Sequence, residues 1–160
     1  MNFLDKVRRN HGIEHATVHV LSEADANLSV IGRADGGGFS IIGDVEPEAL
    51  ADAAQEALRR MKGGQGDLAV HPRCGTQLVT LGTFTALAAF LALGRRPRLA
   101  RLPDAIIATT LAAFIAQPAG LALQRYITTS PKVEGARFVG VTRKNFAGME
   151  FWHVDIAWNE

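Results

Sequence analysis

The chain has 160 residues, of which 48% are hydrophobic and 21% charged, and its formal net charge at pH 7 is +1. This length suits either one compact domain or a smaller domain with a membrane anchor. The near-neutral charge argues against nucleic acid as a partner, because no basic stripe that would follow a phosphate backbone stands out. The single cysteine, Cys74, excludes an internal disulfide.

The first part of the chain predicts a helix, a β-hairpin and a second helix. Apolar residues recur near helical spacing over residues 3–23, and no proline interrupts them. Two short apolar runs, 28–32 and 39–43, flank a glycine-rich stretch that predicts a hairpin turn. That stretch lacks the Lys-Ser/Thr ending of a P-loop, so we favour a turn over phosphate binding. The second helix covers residues 47–62, with a proline near its start and Gly63 after its end.

Two long uncharged segments predict a transmembrane hairpin. Residues 75–94 and 105–124 each hold 20 residues without a charge, which is about 30 Å of helix and matches a bilayer core. A buried helix of a water-soluble protein is the alternative, but residues 87–93 lack the polar stripe that such a helix normally shows. The charged start of the chain, residues 1–9, does not resemble a cleavable signal peptide. We therefore expect two passes through the lipid bilayer, joined by a link over residues 95–104.

Basic residues around the hairpin predict its orientation. The link carries four arginines, and the flanks on the other side of the bilayer carry seven basic residues. By the positive-inside rule this count favours cytoplasmic flanks. The higher density of charge in the link favours the opposite orientation. The basic residues of the link are Arg95, Arg96, Arg98 and Arg101.

The last part of the chain predicts a second β-hairpin. Residues 137–142 and 149–158 alternate like paired strands, and one face of the second strand is apolar. The residues of that face are Trp152, Val154, Ile156 and Trp158. We expect this hairpin and the earlier one to pack together in the soluble part.

These elements predict an α+β membrane protein. Its small soluble domain, of two helices and two β-hairpins, is interrupted by the two-helix transmembrane hairpin. The predicted divisions are residues 1–74 for the first soluble part, 75–124 for the hairpin and 125–160 for the part that completes the soluble domain.

The first helix carries the motif H-x-x-E-H at His11, Glu14 and His15. Side chains four residues apart meet on one face of a helix, so His11 and His15 can hold one ion. In the inverted zincin arrangement the two histidines bind zinc and the glutamate is the general base. The alternative is a pair of ordinary hydrogen-bonded helix histidines.

A catalytic zinc site normally has a third protein ligand and one open position. His71 and Cys74 are the candidates, since imidazole and thiolate both suit zinc. The alternatives are a histidine at the membrane interface and a small buried hydrophobe. His19, His153 and Asp155 are candidates for supporting a ligand by hydrogen bonds, and His153 and Asp155 share a strand face.

The order of these motifs resembles a known family. Residues 11–15 read HGIEH, residues 71–76 read HPRCGT, residues 118–124 read PAGLALQ, and residues 127–129 read ITT. In this order, over roughly residues 10–130, the chain is similar to an uncharacterised bacterial membrane family of predicted metal-dependent enzymes, typified by YqhQ. Ala16 replaces a lysine of that family's first block. The resemblance implies a metal site at His11, Glu14, His15, His71 and Cys74.

These observations predict a membrane-embedded zinc-dependent hydrolase, a peptidase with Glu14 as general base. The exposed edge of the first β-hairpin would align a peptide or membrane-protein substrate by strand addition. The alternative is a non-catalytic membrane assembly or translocation factor with a structural metal site. Either would be compatible with a homo-oligomer.

Overall fold

The structure is a computed structural model that describes residues 1–94 and 99–159. The chain forms two compact units. The first unit combines Met1–His71 with the segment from Arg125 onwards, and the second is Pro72–Gln124. The first unit is therefore built from both ends of the chain.

Both helices predicted for the first unit are confirmed. Helix α1 spans Phe3–Ala24, and its first turn is capped by Asn2, whose Oδ1 accepts a hydrogen bond from the Asp5 N–H at 2.8 Å. Helix α2 spans Pro47–Lys62, the predicted bounds. Proline is tolerated in the first turn of a helix because the N–H that it lacks would have no partner within the helix there. A short 3-10 helix, Gly66–Ala69, follows α2.

The four strands of the first unit form one antiparallel sheet. Strand β1 spans Val30–Ala34, β2 spans Gly38–Gly43, β3 spans Ala136–Phe146 and β4 spans Met149–Trp158. Their order is β1-β2-β4-β3, so β1 and β3 are the edge strands. Both predicted hairpins are confirmed. Strand β3 runs four residues past its predicted end, because pairing with β4 continues up to the hairpin turn.

The core lies between the inner face of the sheet and the two helices. Strand β4 turns Val154 and Ile156 into this core, and Trp152 and Trp158 pack against it partly buried, which confirms the predicted apolar face. The strongly buried partners from the other elements are Ile13 and Ala16 of α1, Phe39 and Ile41 of β2, and Leu50, Ala54 and Ala57 of α2.

Asn10 fastens α1 to both hairpins. Its side chain is fully buried, its Nδ2 donates to the Asp35 carbonyl oxygen at 2.7 Å, and its Oδ1 accepts from Trp158 Nε1 at 3.1 Å. Both polar ends of the amide are satisfied, as burial of such a group requires. The residue just before His11 is therefore anchored at the sheet.

The second unit contains two helices that are long and apolar enough to cross a membrane. Helix α3 spans Gly75–Leu93 and helix α4 spans Leu102–Leu123. In the most apolar window of each candidate span only 11% of the residues are buried, whereas the core helix of a water-soluble protein is mostly buried. Residues 95–98, with three of the arginines of the link, lie outside the described residues.

Small residues bring α3 and α4 together at one point. Gly120 is buried, and a Cβ there would collide with the Gln77 side-chain amide, whose Nε2 donates to the Gln117 carbonyl oxygen at 2.9 Å. Small residues permit close helix approach, so the sequence predicts packing of α3 and α4 through Gly82, Ala86, Ala113 and Gly120. At Gly120 this prediction is confirmed. At Gly82 the prediction was wrong, since among the described residues nothing beyond its chain neighbours and its own helix backbone lies within 4 Å of its Cβ position. Gly82 is exposed.

Candidate metal centre

Helix α1 brings His11 and His15 together. Their ring centroids are 4.4 Å apart, with the ring planes inclined at 64°. His15 is 2% exposed, and His11 is half-buried. This proximity follows from the four-residue spacing on a regular helix.

Each of these two histidines is held by a backbone carbonyl group. His15 Nδ1 lies 2.8 Å from the Ala69 oxygen, and His11 Nδ1 lies 3.0 Å from the Thr128 oxygen. A carbonyl oxygen only accepts, so Nδ1 carries the hydrogen and the lone pair of the neutral ring lies on Nε2. Metal-binding histidines in proteins use such a bond to fix their tautomer and ring orientation. In both neutral rings the lone pair is therefore on Nε2.

His71 lies beside the same helix, together with His19. The His71 ring centroid is 5.9 Å from that of His15 and 4.7 Å from that of His19. His19 Nε2 lies 3.0 Å from the Val70 carbonyl oxygen. His15 and His19 therefore bind consecutive carbonyl groups of the segment that leads into His71. His19, predicted only as a supporting residue, is the nearer of the two to His71.

Glu14 points to the sheet. It is 5% exposed, and its carboxylate lies against Gly32 of β1, where a Cβ would collide with it. Gly32 pairs with Ile41, a core residue, so this contact is on the inner face of the sheet. The role of Gly32 was missed at the sequence level, where a glycine within a strand signals only a close approach of some kind.

Cys74 belongs to the second unit. It precedes α3 as its N-cap, where Sγ accepts from the Thr76 N–H at 3.4 Å, and it is 8% exposed. It follows His71 by three residues, which limits their Cα separation to about 11 Å.

His153 and Asp155 form the hydrogen bond that their shared strand face predicts. His153 Nδ1 lies 2.9 Å from an Asp155 carboxylate oxygen, and His153 Nε2 lies 3.1 Å from Asp35 Oδ2. His153 pairs in register with Ser40 and Thr142, on the face opposite to Val154 and the core. The structure thus places this cluster on the outer face of the sheet, whereas His11 and His15 belong to a helix on the inner face.

Asp35 has a perturbed acidity. Its partial burial by itself raises the pKa, but hydrogen bonds from the Gly37 N–H, the His153 side chain and the Gly38 N–H outweigh this effect. The net result is a pKa below the ordinary value of 3.8. The carboxylate form is stabilised because donors surround it.

A surface cavity of ≈ 290 Å³ borders the loop that His15 and His19 hold. Ala69 and Val70 line it, as do Asp67 and Arg125, which form an ion pair at 3.3 Å. This volume is at the low end of small-molecule sites. The remaining lining residues are Gly64, Gly66, Thr129 and Pro131.

These features define a class of protein: an α+β protein with two candidate membrane helices and a histidine cluster on its first helix. The chain belongs to the family with the domain of unknown function DUF6391, whose model matches residues 6–141. It is similar to an uncharacterised protein of Picosynechococcus sp. (strain ATCC 27264 / PCC 7002 / PR-6), with 36% identity over 137 residues. The match covers 78% of this chain and 66% of that relative, just under two thirds of its length.

No solved structure matches the chain. The expectation of a family of unknown function is confirmed, but the model that matches is that of DUF6391 and not that of the YqhQ-like family. Neither its description nor the relative's name mentions a metal or an enzymatic activity. The metal-dependent chemistry that the motifs imply is therefore a proposal.

Proposed function

We propose that this protein is a membrane-embedded, zinc-dependent hydrolase that acts on peptide bonds. The observation that carries the proposal is the matched pair of carbonyl bonds to Nδ1 of His11 and His15. Those bonds put the lone pair of both neutral rings on Nε2, one helical turn apart.

His71 and Cys74 are the proposed further donors. His71 is near His15 in the first unit, and Cys74 follows it after three residues. Imidazole and thiolate are both common zinc ligands. Zinc at these residues would supply Lewis-acid activation of a water molecule.

Glu14 is the proposed general base. Its carboxylate lies against Gly32 in β1, and β1 is an edge strand of the sheet. An extended peptide that pairs with β1 would pass the strand on which Glu14 rests, since strand addition supplies backbone hydrogen bonds along an edge. Taking a proton from the attacking water would then be the task of Glu14.

The proposed location is the cytoplasmic membrane of a bacterium, with the first unit in the cytoplasm. Support comes from the two membrane-length helices and from the larger number of basic residues that flank them. A reporter fused after Glu160 tests the orientation. Activity of a fused alkaline phosphatase, which folds only outside the cytoplasm, would contradict it.

One observation favours the second candidate, a non-catalytic assembly or translocation factor with a structural metal. Glu14 is 5% exposed and lies on the inner face of the sheet. A carboxylate in such a place can serve the packing of α1 against β1 without meeting a substrate.

Glu14→Gln and His15→Asn separate the two functions. Glutamine keeps the size of Glu14 but cannot take a proton. If the protein is a hydrolase, the Glu14→Gln variant should keep its full zinc content and lose turnover. Asparagine keeps an amide donor near the position of His15 Nδ1 and removes the ligand nitrogen, so zinc content should fall. The measurements are metal analysis of the detergent-purified protein and cleavage of a mixed fluorogenic peptide library. Unchanged zinc in His15→Asn would contradict the metal site, and zinc-loaded protein that cleaves no peptide would favour the structural factor.

A further inference from the structure

We propose that the start of α1 and the end of the second candidate membrane span together form a surface that lies in the headgroup layer of the lipid bilayer. This surface, the interfacial patch, consists of the exposed side chains of Phe3, Leu4, Tyr126 and Ile127. Such a surface goes beyond the proposed hydrolase. It rests on the membrane location proposed above, but it requires neither zinc nor peptide cleavage.

The interfacial patch is apolar and open. Phe3 is 67% exposed, Leu4 70%, Tyr126 72% and Ile127 58%. All four residues belong to the first unit. Single exposed apolar side chains are common on water-soluble proteins, whereas a group of them marks a surface that binds something apolar. The spatial relation between the two segments therefore decides whether they act together.

Arg8 connects the two segments of the patch. Its Nη2 donates to the Tyr126 carbonyl oxygen at 3.0 Å and to the Thr129 carbonyl oxygen at 3.4 Å. The Arg8 carbonyl oxygen in turn accepts from the Ser130 N–H at 3.0 Å. Side chains of a helix lean towards its N-terminus, so the Arg8 guanidinium lies over the turn that holds Leu4. The segment that follows α4 is thus bonded beside the first turns of α1.

The end of the candidate span gives the depth of the patch in the bilayer. The span is Leu99–Thr128, so Tyr126 belongs to its last turn. Its uncharged part, residues 105–124, is about 30 Å long as a helix and matches the hydrocarbon core, and Arg125 follows directly. Residues just past such a run lie among the lipid headgroups, where tyrosine is enriched. The start of α1, which is bonded beside this segment, then lies at a similar level.

Basic residues beside the patch suit anionic lipid headgroups. The Arg8 guanidinium donates to carbonyl oxygens, which do not cancel its charge. Positive charge next to exposed apolar side chains is typical of a helix that lies in the membrane interface. A second copy of this chain would bring the same positive charge to the contact, so we favour lipid over a dimer. Residues 1–9 hold three basic side chains, Lys6, Arg8 and Arg9, and one acidic side chain, Asp5.

The test is the quenching of added tryptophans by brominated lipid in the reconstituted full-length protein. The vesicles contain phosphatidylcholine and phosphatidylglycerol in equal parts, and the phosphatidylcholine is brominated either near the top or near the end of its acyl chains. Leu4→Trp and Phe3→Trp report on the patch. Trp152 and Trp158 are present in every variant, so the wild-type signal is subtracted. Circular dichroism and thermal melting identify the variants that fold as wild type does.

Two further variants calibrate the measurement. Leu111→Trp puts the probe at an exposed position near the middle of α4, where bromine near the chain ends should quench it best. Val139→Trp puts the probe at an exposed position of β3, in the same unit as the patch. Strand β3 is the edge of the sheet opposite to β1, the edge strand that α1 contacts, so Val139→Trp should not be quenched.

Both patch variants should be quenched at least about twofold more by bromine near the top of the chains than by bromine near their ends, because an interfacial side chain enters only the outermost part of the acyl layer. Agreement between Leu4→Trp and Phe3→Trp shows that the result does not depend on one substitution. Quenching of Val139→Trp to the same extent would overturn the patch, since the whole unit would then lie against lipid.

The outcomes separate failure of the patch from failure of the proposed membrane location. Quenched Leu111→Trp with unquenched, red-shifted Leu4→Trp would overturn the patch and leave the membrane location standing. Unquenched Leu4→Trp with blue-shifted emission would also overturn the patch, since protein, such as a second copy, would then cover it. Unquenched Leu111→Trp in folded protein would overturn both. Zinc content and peptide cleavage enter none of these outcomes.

Discussion

Glu14 occupies the space that a side chain on Gly32 would need. A Cβ on Gly32 would overlap the Glu14 carboxyl group and lie 2.9 Å from Glu14 Cγ. The Glu14 side chain can lie where it does only because residue 32 has no side chain. This contact ties Glu14, the acidic residue of the motif, to the sheet.

Gly32→Ala should therefore displace Glu14 and destabilise the first unit by about 1–3 kcal/mol, the usual cost of overpacking a core. Thermal melting in detergent measures the effect. In the double variant Gly32→Ala with Glu14→Ala the loss should be smaller than the sum of the two single losses, because the collision is removed. Gly140→Ala is the control, since its Cβ would meet no atom within 4 Å in the described chain. Additive effects would contradict the contact.

The bond between His15 and Ala69 should contribute to stability without any metal. His15→Ala leaves a buried carbonyl oxygen without its donor, which costs about 1–3 kcal/mol. His15→Asn should recover much of this loss, because its amide can reach the same oxygen. Chelator-treated protein is the right sample, and melting temperature is the readout. Equal destabilisation by alanine and asparagine would show that the hydrogen bond to Ala69 does not contribute to stability.

Asp35 should make the first unit sensitive to acid. Its folded pKa lies below the unfolded value of 3.8, so its contribution is present above about pH 4 and is lost as the pH falls towards the folded pKa. Asp35→Asn should flatten this acid limb of the stability curve. Asp52→Asn, at an exposed position on α2, makes the same change of charge and should leave the limb unaltered. Equal slopes for wild type and Asp35→Asn would contradict the assignment.

In the second unit, Gly120→Ala should displace Gln77 and break its bond to the Gln117 carbonyl oxygen. The expected loss is about 1–3 kcal/mol, from steric overlap and from a disturbed buried amide. Gly82→Ala is a matched change on the partner helix and meets open space, so it should be close to neutral. Thermal melting in detergent compares the two. A larger effect at Gly82 would contradict the packing of α3 and α4.

The two apolar helices should make the protein dependent on detergent. Membrane fractions of expressing cells should contain it, and extraction with carbonate should leave it in the pellet, because two spanning helices do not dissociate at high pH. Recovery in the soluble fraction would contradict membrane insertion.

Local signals explain which parts of the fold were predictable. The bounds of α2 follow from Pro47 at its start and Gly63 after its end, because each residue affects the backbone only within about one helical turn. The long uncharged segments indicated α3 and α4 in the same way. The meeting of His11 and His15 required only the period of a helix.

Tertiary placement explains what was missed. The pairing of His19 with His71 depends on the path of the segment after α2, which brings Val70 against α1. The contact of Glu14 with Gly32 depends on how α1 lies across the sheet. Gly82 and Gly120 look alike in sequence, and only the rotation of each helix about its axis separates them.

The strand order has a consequence for biosynthesis. Strand β2 pairs with β4, and His11 binds Thr128, so the first unit uses residues from both sides of the apolar hairpin. During synthesis β1, β2 and both candidate membrane helices emerge before β4 exists. The edge of β2 must therefore stay unpaired, and the histidine site incomplete, until the hairpin of β3 and β4 has left the ribosome. Truncation within β4 would leave a protein that inserts into the bilayer but cannot complete the domain attached to it.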